Sequence, residues 1–175
     1  MKASQRRLIT AAVAILIVVV AGLVIRNCGG PQEPIKIMSG QSRSMGSIKW
    51  SVVSVMKVRT IGSSDATLSA NGWFLAVDLY LTNQSKEKIQ FDPESVVVTD
   101  GAGKIYSPST KATAAQVKSQ ANADLNSIFN AALNPGKQQR LIGVFDISET
   151  ATKLQMKVLG DKYGSRQDLV IELGF

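Results

Sequence analysis

The sequence predicts an all-β domain, an antiparallel sandwich, carried behind a single N-terminal transmembrane helix. Three observations carry that reading. Trp73 to Asn83 alternates strictly, with Trp73, Leu75, Val77, Leu79 and Leu81 on one face and Phe74, Ala76, Asp78, Tyr80 and Thr82 on the other. Such a period of two over this length is a strand with one fully buried face and one half-covered face. Short strand signals separated by turn residues then recur to the C-terminus, the spacing of a sandwich. Finally, Leu8 to Ile25 is an uncharged apolar run.

That run has 18 residues and as a helix would reach roughly 27 Å, close to a hydrocarbon core of about 30 Å. Leu8, Ile9, Val13, Ile15, Leu16, Ile17, Val20, Leu23 and Ile25 are its bulky anchoring residues. A cleaved signal peptide has a shorter apolar region and a small-x-small site, whereas here only Ala21-Gly22 is small and apolar residues continue beyond it. Lys2, Arg6 and Arg7 precede the run and only Arg26 follows directly, so the positive-inside bias leaves the C-terminal part extracytoplasmic. The expectation is an uncleaved, single-pass signal anchor over residues 1–26. Cys28 is the only cysteine, so no internal disulfide forms. Lipidation at Cys28 is the alternative tether, but Arg26-Asn27 stand where a lipoprotein cleavage box needs small residues.

Residues 27–46, rich in Gly, Pro and Ser, read as a flexible linker in which Ile35-Lys-Ile-Met38 is a candidate edge strand. The sandwich is expected over residues 47–175. Ile48, Trp50 and Val52 alternate, then the apolar phase slips to Val53, Val55 and Val58, as a β-bulge produces. Residues 61–72, ending in Asn71-Gly72, read as a turn-rich loop. After the Trp73 strand comes a short strand at Lys88–Phe91, then a hairpin from Glu94–Thr99 through Asp100-Gly-Ala-Gly103 to Lys104–Tyr106. From Ser109 to Leu133 the apolar spacing changes to three and four, predicting an amphipathic helix capped by Ser109 or Thr110 and ended by Asn134-Pro-Gly136. Gln138–Ile147, Lys153–Leu159 and Asp168–Leu173 return to strands.

Several of these stretches together resemble a large family of extracytoplasmic Ig-like domains of unknown function. They are Trp73–Asn83, Phe91-Asp-Pro93, Thr99–Tyr106, Leu133-Asn-Pro-Gly136 and Gly143-Val-Phe-Asp-Ile147. Members are often labelled, misleadingly, as telomeric repeat-binding factors, and they are similar to secreted immunogenic antigens of mycobacteria. The resemblance covers about Ser47 to Phe175 and implies an Ig-like sandwich with no catalytic residue to carry over. The Ser109–Leu133 segment departs from the family pattern.

Charge excludes one function class. Of the net +7, residues 1–46 carry +5, with Lys2, Arg6, Arg7, Arg26, Lys36 and Arg43 against Glu33; the remaining +2 is spread over the domain. A nucleic-acid footprint needs cations clustered on the domain, and none is visible. The chain has no histidine, which removes Ser-His-Asp and Cys-His catalysis and most zinc sites. Ser54-Val-Met-Lys57 has Ser-x-x-Lys spacing, but in a strand the two side chains face opposite sides. Asp92, Glu94 and Asp100 are the carboxylates a hard cation would use, and they read better as solvated loop residues. Met38, Met45, Met56 and Met156 are scattered, without the clustering a soft metal needs. Asn83-Gln-Ser85 is a glycosylation sequon at an expected surface turn. Trp50 and Trp73 read as core aromatics, with an exposed sugar or partner platform as the alternative.

The reading that follows is a non-enzymatic, membrane-tethered extracytoplasmic interaction module, without cofactor. It would be an accessory subunit or partner-binding domain of a membrane or envelope complex. Its partners would be the bilayer, through the N-terminal helix, and a protein of the envelope, not nucleic acid. Val117, Leu125, Ile128 and Phe129 on the Ser109–Leu133 segment are the candidate partner-binding residues. The alternative is a solute-binding or sensing domain for an ion, sugar or peptide, which requires a concave pocket with convergent polar groups.

Overall fold

The computed structural model describes residues 33–38, 40–64, 66–120 and 124–175. The anchor residues Leu8 to Ile25, Cys28 and the first part of the expected linker lie outside them. No helix among the described residues is long and apolar enough to cross a membrane. In chain order the strands are β1 (Ile35–Met38), β2 (Ser42–Met45), β3 (Ile48–Ser63), β4 (Ala66–Asn83), β5 (Ile89–Gln90) and β6 (Val96–Thr99). There follow β7 (Ile105–Tyr106), helix α1 (Thr110–Ser119), β8 (Leu125–Ser127), β9 (Ala132–Leu133), β10 (Gln138–Ile147), β11 (Gln155–Val158) and β12 (Leu169–Glu172).

Two five-stranded sheets face each other, β1-β12-β11-β6-β7 and β2-β3-β4-β10-β8, with β5 and β9 as a small third pair. The pairing is antiparallel except at two outer strands, β1 on β12 and β8 on β10, which run parallel. The alternation around Trp73 places Leu75, Val77, Leu79 and Leu81 in the core between the sheets, with Trp50, Phe145, Met156 and Ile171. Trp50 is wholly buried against Phe91 and Tyr163. The opposite face of β4 sends Phe74 and Ala76 into a second core with Ile61, Ala112, Leu125, Ile142 and Val144. Helix α1 lies over this second core and makes the outer face of the strand half covered.

Four features differ from the sequence reading. The structured domain takes in Ile35–Met38, the edge strand, and also Ser42–Met45, both within the expected linker. Ser, Gly and Arg hide the second strand, yet its one apolar residue, Met45, is wholly buried against Ile48 at the β2–β3 turn. That turn needs Gly46: its φ is +56°, and a Cβ there would sit 1.9 Å from the Tyr163 carbonyl oxygen.

Residues 61–72 are not a loop. β3 and β4 continue as one long hairpin in which Thr60 pairs with Ser69 and Ser63 with Ala66. Asn71-Gly72, a turn signal by composition, lies inside β4. Its Asn71 side chain and backbone N–H bond to Asp146, and Gly72 admits the Ile147 carbonyl where a Cβ would be 2.3 Å away. The bulge expected after Val52 is present between Val52 and Ser54.

The helix is shorter than Ser109–Leu133. It is capped by Ser109, whose hydroxyl accepts the Ala112 N–H at 3.3 Å, and it ends at Ser119. From Leu125 the backbone instead joins the sheet along β10. Asn126 and Ser127 gain little in a helix, and the free edge of β10 satisfies their backbone groups better.

The sequon is not at the surface. Asn83 is fully buried, donating to the carbonyls of Glu87 and Leu133 and accepting from Ser85. It ties the end of β4 to the small β5–β9 pair.

Candidate functional site

The sandwich has two ends. At one, Ile35, Leu169, Val158 and Val96 stand side by side, and Ile48 pairs with Asn83; the chain enters here from Glu33, whose carbonyl accepts from Gln167. At the other, Met38, Glu172, Gln155 and Thr99 align, and Trp73 pairs with Ile147. The aromatic and cationic side chains of interest collect at this second end, here called the rim.

Beyond its bulge, β3 delivers Lys57 and Arg59 to the rim beside Trp73 of β4. The Arg59 guanidinium lies 3.9 Å from the centre of the Trp73 ring, donates to the Gly72 carbonyl at 2.9 Å and pairs with Glu149. The Lys57 ammonium sits between two rings, 5.4 Å from Trp73 and 5.8 Å from Phe175. Phe175 is 43% exposed, and its carbonyl is held by the Leu154 N–H at 3.1 Å. This stack of alternating cations and rings is stabilised by ring quadrupoles, each contact contributing about 0.5–1 kcal/mol where solvent reaches it.

The β6–β7 turn borders the same end. The Asp100 carboxylate accepts the N–H groups of Ala102 and Lys104 and the Tyr106 hydroxyl, at 2.8 to 3.0 Å. The Lys104 backbone N–H, with the Tyr106 hydroxyl, holds the Asp100 carboxyl below the usual carboxylate range. Burial, reinforced by the Asp100 charge, pushes the Tyr106 phenol up. Lys104 lies 5.1 Å over the Tyr106 ring. A polar cleft of about 540 Å³ separates this turn from Asn71, Asp146, Ser148 and Glu149. On the other side an apolar cavity of about 590 Å³ is lined by Ile37, Met38, Leu173 and Gly174, with Lys36, Gln41 and Glu172 around it.

The expected partner-binding residues are placed elsewhere. Leu125 and Ile128 are buried, the first in the outer core and the second between the sheets, while Val117 and Phe129 pack partly buried against those cores. Their spacing records attachment of the segment to the two cores. Ser54 and Lys57 lie on β3 in the regular stretch between its two register shifts, where residues three apart face opposite sides, and Lys57 belongs to the aromatic stack. Asp92 and Glu94 form a 3-10 turn in which Asp92 caps the Glu94 N–H, and Asp100 holds its own turn; the three carboxylates do not converge. Among the described residues no group of three or more potential metal ligands is present. Met45 and Met156 are buried, whereas Met38 and Met56 are exposed and apart in the fold. Arg59 and Phe175 were not singled out from the sequence. Alternating cations at Lys57 and Arg59 opposite an aromatic was the only local signal.

A family model described as "Domain of unknown function (DUF4352)" matches residues 37–168. The chain belongs to this family. No curated protein matches the chain. Among solved structures, the yjhA protein of Bacillus subtilis superposes with a TM-score of 0.54 at 11% identity, covering 78% of this chain and 98% of that one. The secreted protein MPT63 of Mycobacterium tuberculosis gives 0.54 at 13% identity, over 79% and 97%. An uncharacterised β-sandwich protein of Clostridium difficile gives 0.53 at 9% identity, over 82% and 97%. At these identities the likeness concerns the fold, and it includes the mycobacterial secreted protein that the sequence resembles.

Proposed function

We propose that this DUF4352 domain is a non-enzymatic, membrane-tethered extracytoplasmic interaction module that meets a component of the cell envelope through its rim. The observation that carries the reading is the stack of Arg59, Trp73, Lys57 and Phe175 at the end of the sandwich away from Glu33, where the chain enters. The apolar run Leu8–Ile25 upstream supplies the tether. Tethering raises local concentration, so a modest intrinsic affinity at the rim suffices for occupancy. The secreted mycobacterial neighbour supports an extracytoplasmic setting.

The solute-binding reading is favoured by a separate observation, the apolar cavity bounded by Ile37, Met38 and Leu173 beside the β1 edge. Site-specific photocrosslinking in native membranes separates rim recognition from its alternatives. A photoreactive residue at Lys153 should give envelope adducts, whereas one at Arg166, at the opposite end, should not. Adducts from Arg166 alone would overturn the rim reading, and release of the protein by alkaline carbonate without detergent would overturn the tether.

A further inference from the structure

The end of the sandwich where the chain enters is built from loops tied to one another. The Gln167 side chain donates to the Glu33 carbonyl at 3.0 Å, the Ser47 N–H to the Tyr163 carbonyl at 3.0 Å, and the Gln84 N–H to the Ser47 carbonyl at 2.8 Å. Buried Asn83 makes the last junction. Its N–H donates to the Lys137 carbonyl, its carbonyl accepts the Gly136 N–H, and its side-chain nitrogen donates to the carbonyls of Glu87 and Leu133. The turn after β4, residues 84–88, and the turn before β10, residues 134–137, are thereby held side by side.

That hub gathers charge which the sequence spreads out. Lys86 and Lys88 flank Glu87 in the first turn, Lys137 closes the second, and Lys49 pairs with Thr82, the residue before Asn83. All four lysines are exposed, and none has a carboxylate partner among the described residues. Glu87 is the one acid in these two turns, so the four lysines leave a net charge of +3. The side nearer β11 and β12 is different: Asp92 and Asp168 pair there with Lys162 and Lys157, and Arg166 stands with Glu33, Glu94 and Asp161. Asp124 is placed one strand beyond β10, where its charge acts on Arg140. The entry end is thus polarised, with its cationic side at the ends of β3, β4 and β10. Charges on adjoining turns act together on a surface within the Debye length, about 8 Å at physiological salt, whichever way each lysine is turned.

The apolar run ends at Ile25 and the described chain starts at Glu33. Fully extended, the residues between them cover no more than about 30 Å. With Leu8–Ile25 as the tether, the entry end stays within reach of the headgroups.

We propose that Lys49, Lys86, Lys88 and Lys137 form a docking surface for the anionic phospholipid headgroups of the bilayer that holds the tether. This rests on the tether in the reading above and adds the surface that meets the lipid. Each lysine near an anionic surface strengthens the attraction roughly fivefold, and the short tether supplies the local concentration. Docking here leaves the rim, at the opposite end of the sandwich, free for a component of the envelope.

The test uses the full chain, isotope-labelled, in nanodiscs that carry a nitroxide-headgroup lipid in phosphatidylcholine, with or without phosphatidylglycerol. In the mixed discs the amides of Lys86, Lys88 and Lys137 should broaden, those of Gly101 and Lys153 at the rim should stay sharp, and high salt should reverse the effect. The triple variant Lys86→Gln, Lys88→Gln and Lys137→Gln, all at exposed positions, should lower the docking constant by about 100-fold. Broadening that ignores lipid charge or salt, or that survives in the triple variant, would overturn the proposal. So would a response of the same amides to soluble polyphosphate in zwitterionic discs with none to the anionic lipid, which would make the partner a polyanion of the envelope. Co-elution with zwitterionic discs reports the tether separately. Protein lost from those discs but held by the mixed ones would remove the tether and leave the lysine surface standing, and loss from both would remove the two together. Protein held by both without charge-dependent broadening would remove the surface alone and leave the tether and the rim.

Discussion

The two faces of β4 contrast most clearly within the domain. Its inner face packs into a core shared by both large sheets, with Leu75, Val77 and Leu81 at zero exposure. Its outer face changes character along its length. Phe74 and Ala76 lie under α1, Asp78 pairs with Arg140, and Tyr80, opposite Ser51, is 37% exposed. One strand thus takes part in two cores of unequal depth. The inner core defines the sandwich; the outer core fastens one helix and the extended hairpin to it. Energetic sensitivity should fall from the inner face to the outer.

The largest expected effect tests the inner face. Leu79→Ala removes a side chain 2% exposed between the sheets, where collapse around the cavity is limited, and should cost about 3–5 kcal/mol. Chemical denaturation monitored by near- and far-UV signals should show one destabilised transition. A loss below about 1 kcal/mol would mean that the inner core repacks freely, and the contrast between faces would collapse.

Next comes the ion pair in the middle of the outer face. Arg140 donates to both Asp78 oxygens, through Nε at 3.1 Å and through a terminal nitrogen at 2.5 Å. Asp78 is nearly inaccessible, its side chain 4% exposed against 20% for Arg140. Bonding to Asp78 pushes the guanidinium pKa up. Asp78→Ala leaves that cation poorly solvated and should cost about 2–3 kcal/mol, less than a fully buried pair because water reaches Arg140. Adding Arg140→Leu to Asp78→Ala should recover most of the loss, because an apolar pair suits this face. If the double variant were worse than the single one, the pair would have to be a net source of stability.

The same contrast explains what was legible in the chain. Strict alternation made the inner face of β4 readable, because a core-facing row leaves a period-two record regardless of partners. The outer face carried less information, since Ala76 and Phe74 look alike whether water or a helix covers them. Leu125 and Ile128 continued the helical spacing of Val117, yet their burial comes from sheet pairing and inter-sheet packing, which local period does not encode. Asn71-Gly72 looked like a turn because composition cannot distinguish a reversal from a close strand-to-strand approach. The rim was least legible of all. Trp73, Lys153 and Phe175 are distant in sequence from Lys57 and Arg59, and only pairing of β3 with β4 and the return of β12 bring these residues to one end.

The smallest effect concerns how α1 is fastened. Its first turn occupies the free edge of β10: Ser109 N–H donates to the Val144 carbonyl at 2.7 Å, and Val144 N–H donates to the Thr113 hydroxyl at 3.0 Å. Thr113 is fully buried, so Thr113→Val removes an acceptor from a strand amide that water does not replace, at a cost of about 1–2 kcal/mol. Ser109→Ala removes only the cap on Ala112 and should cost about 0.5–1 kcal/mol. Both losses belong to the outer layer. Hydrogen exchange should therefore accelerate at Val144 and along α1 in either variant, while the amides of Leu79 and Leu141, in the β4–β10 ladder, keep their protection except through the change in global stability. Uniform acceleration across both faces would show that helix and sandwich unfold as one unit, and the two cores would then be distinct in packing but not in cooperativity.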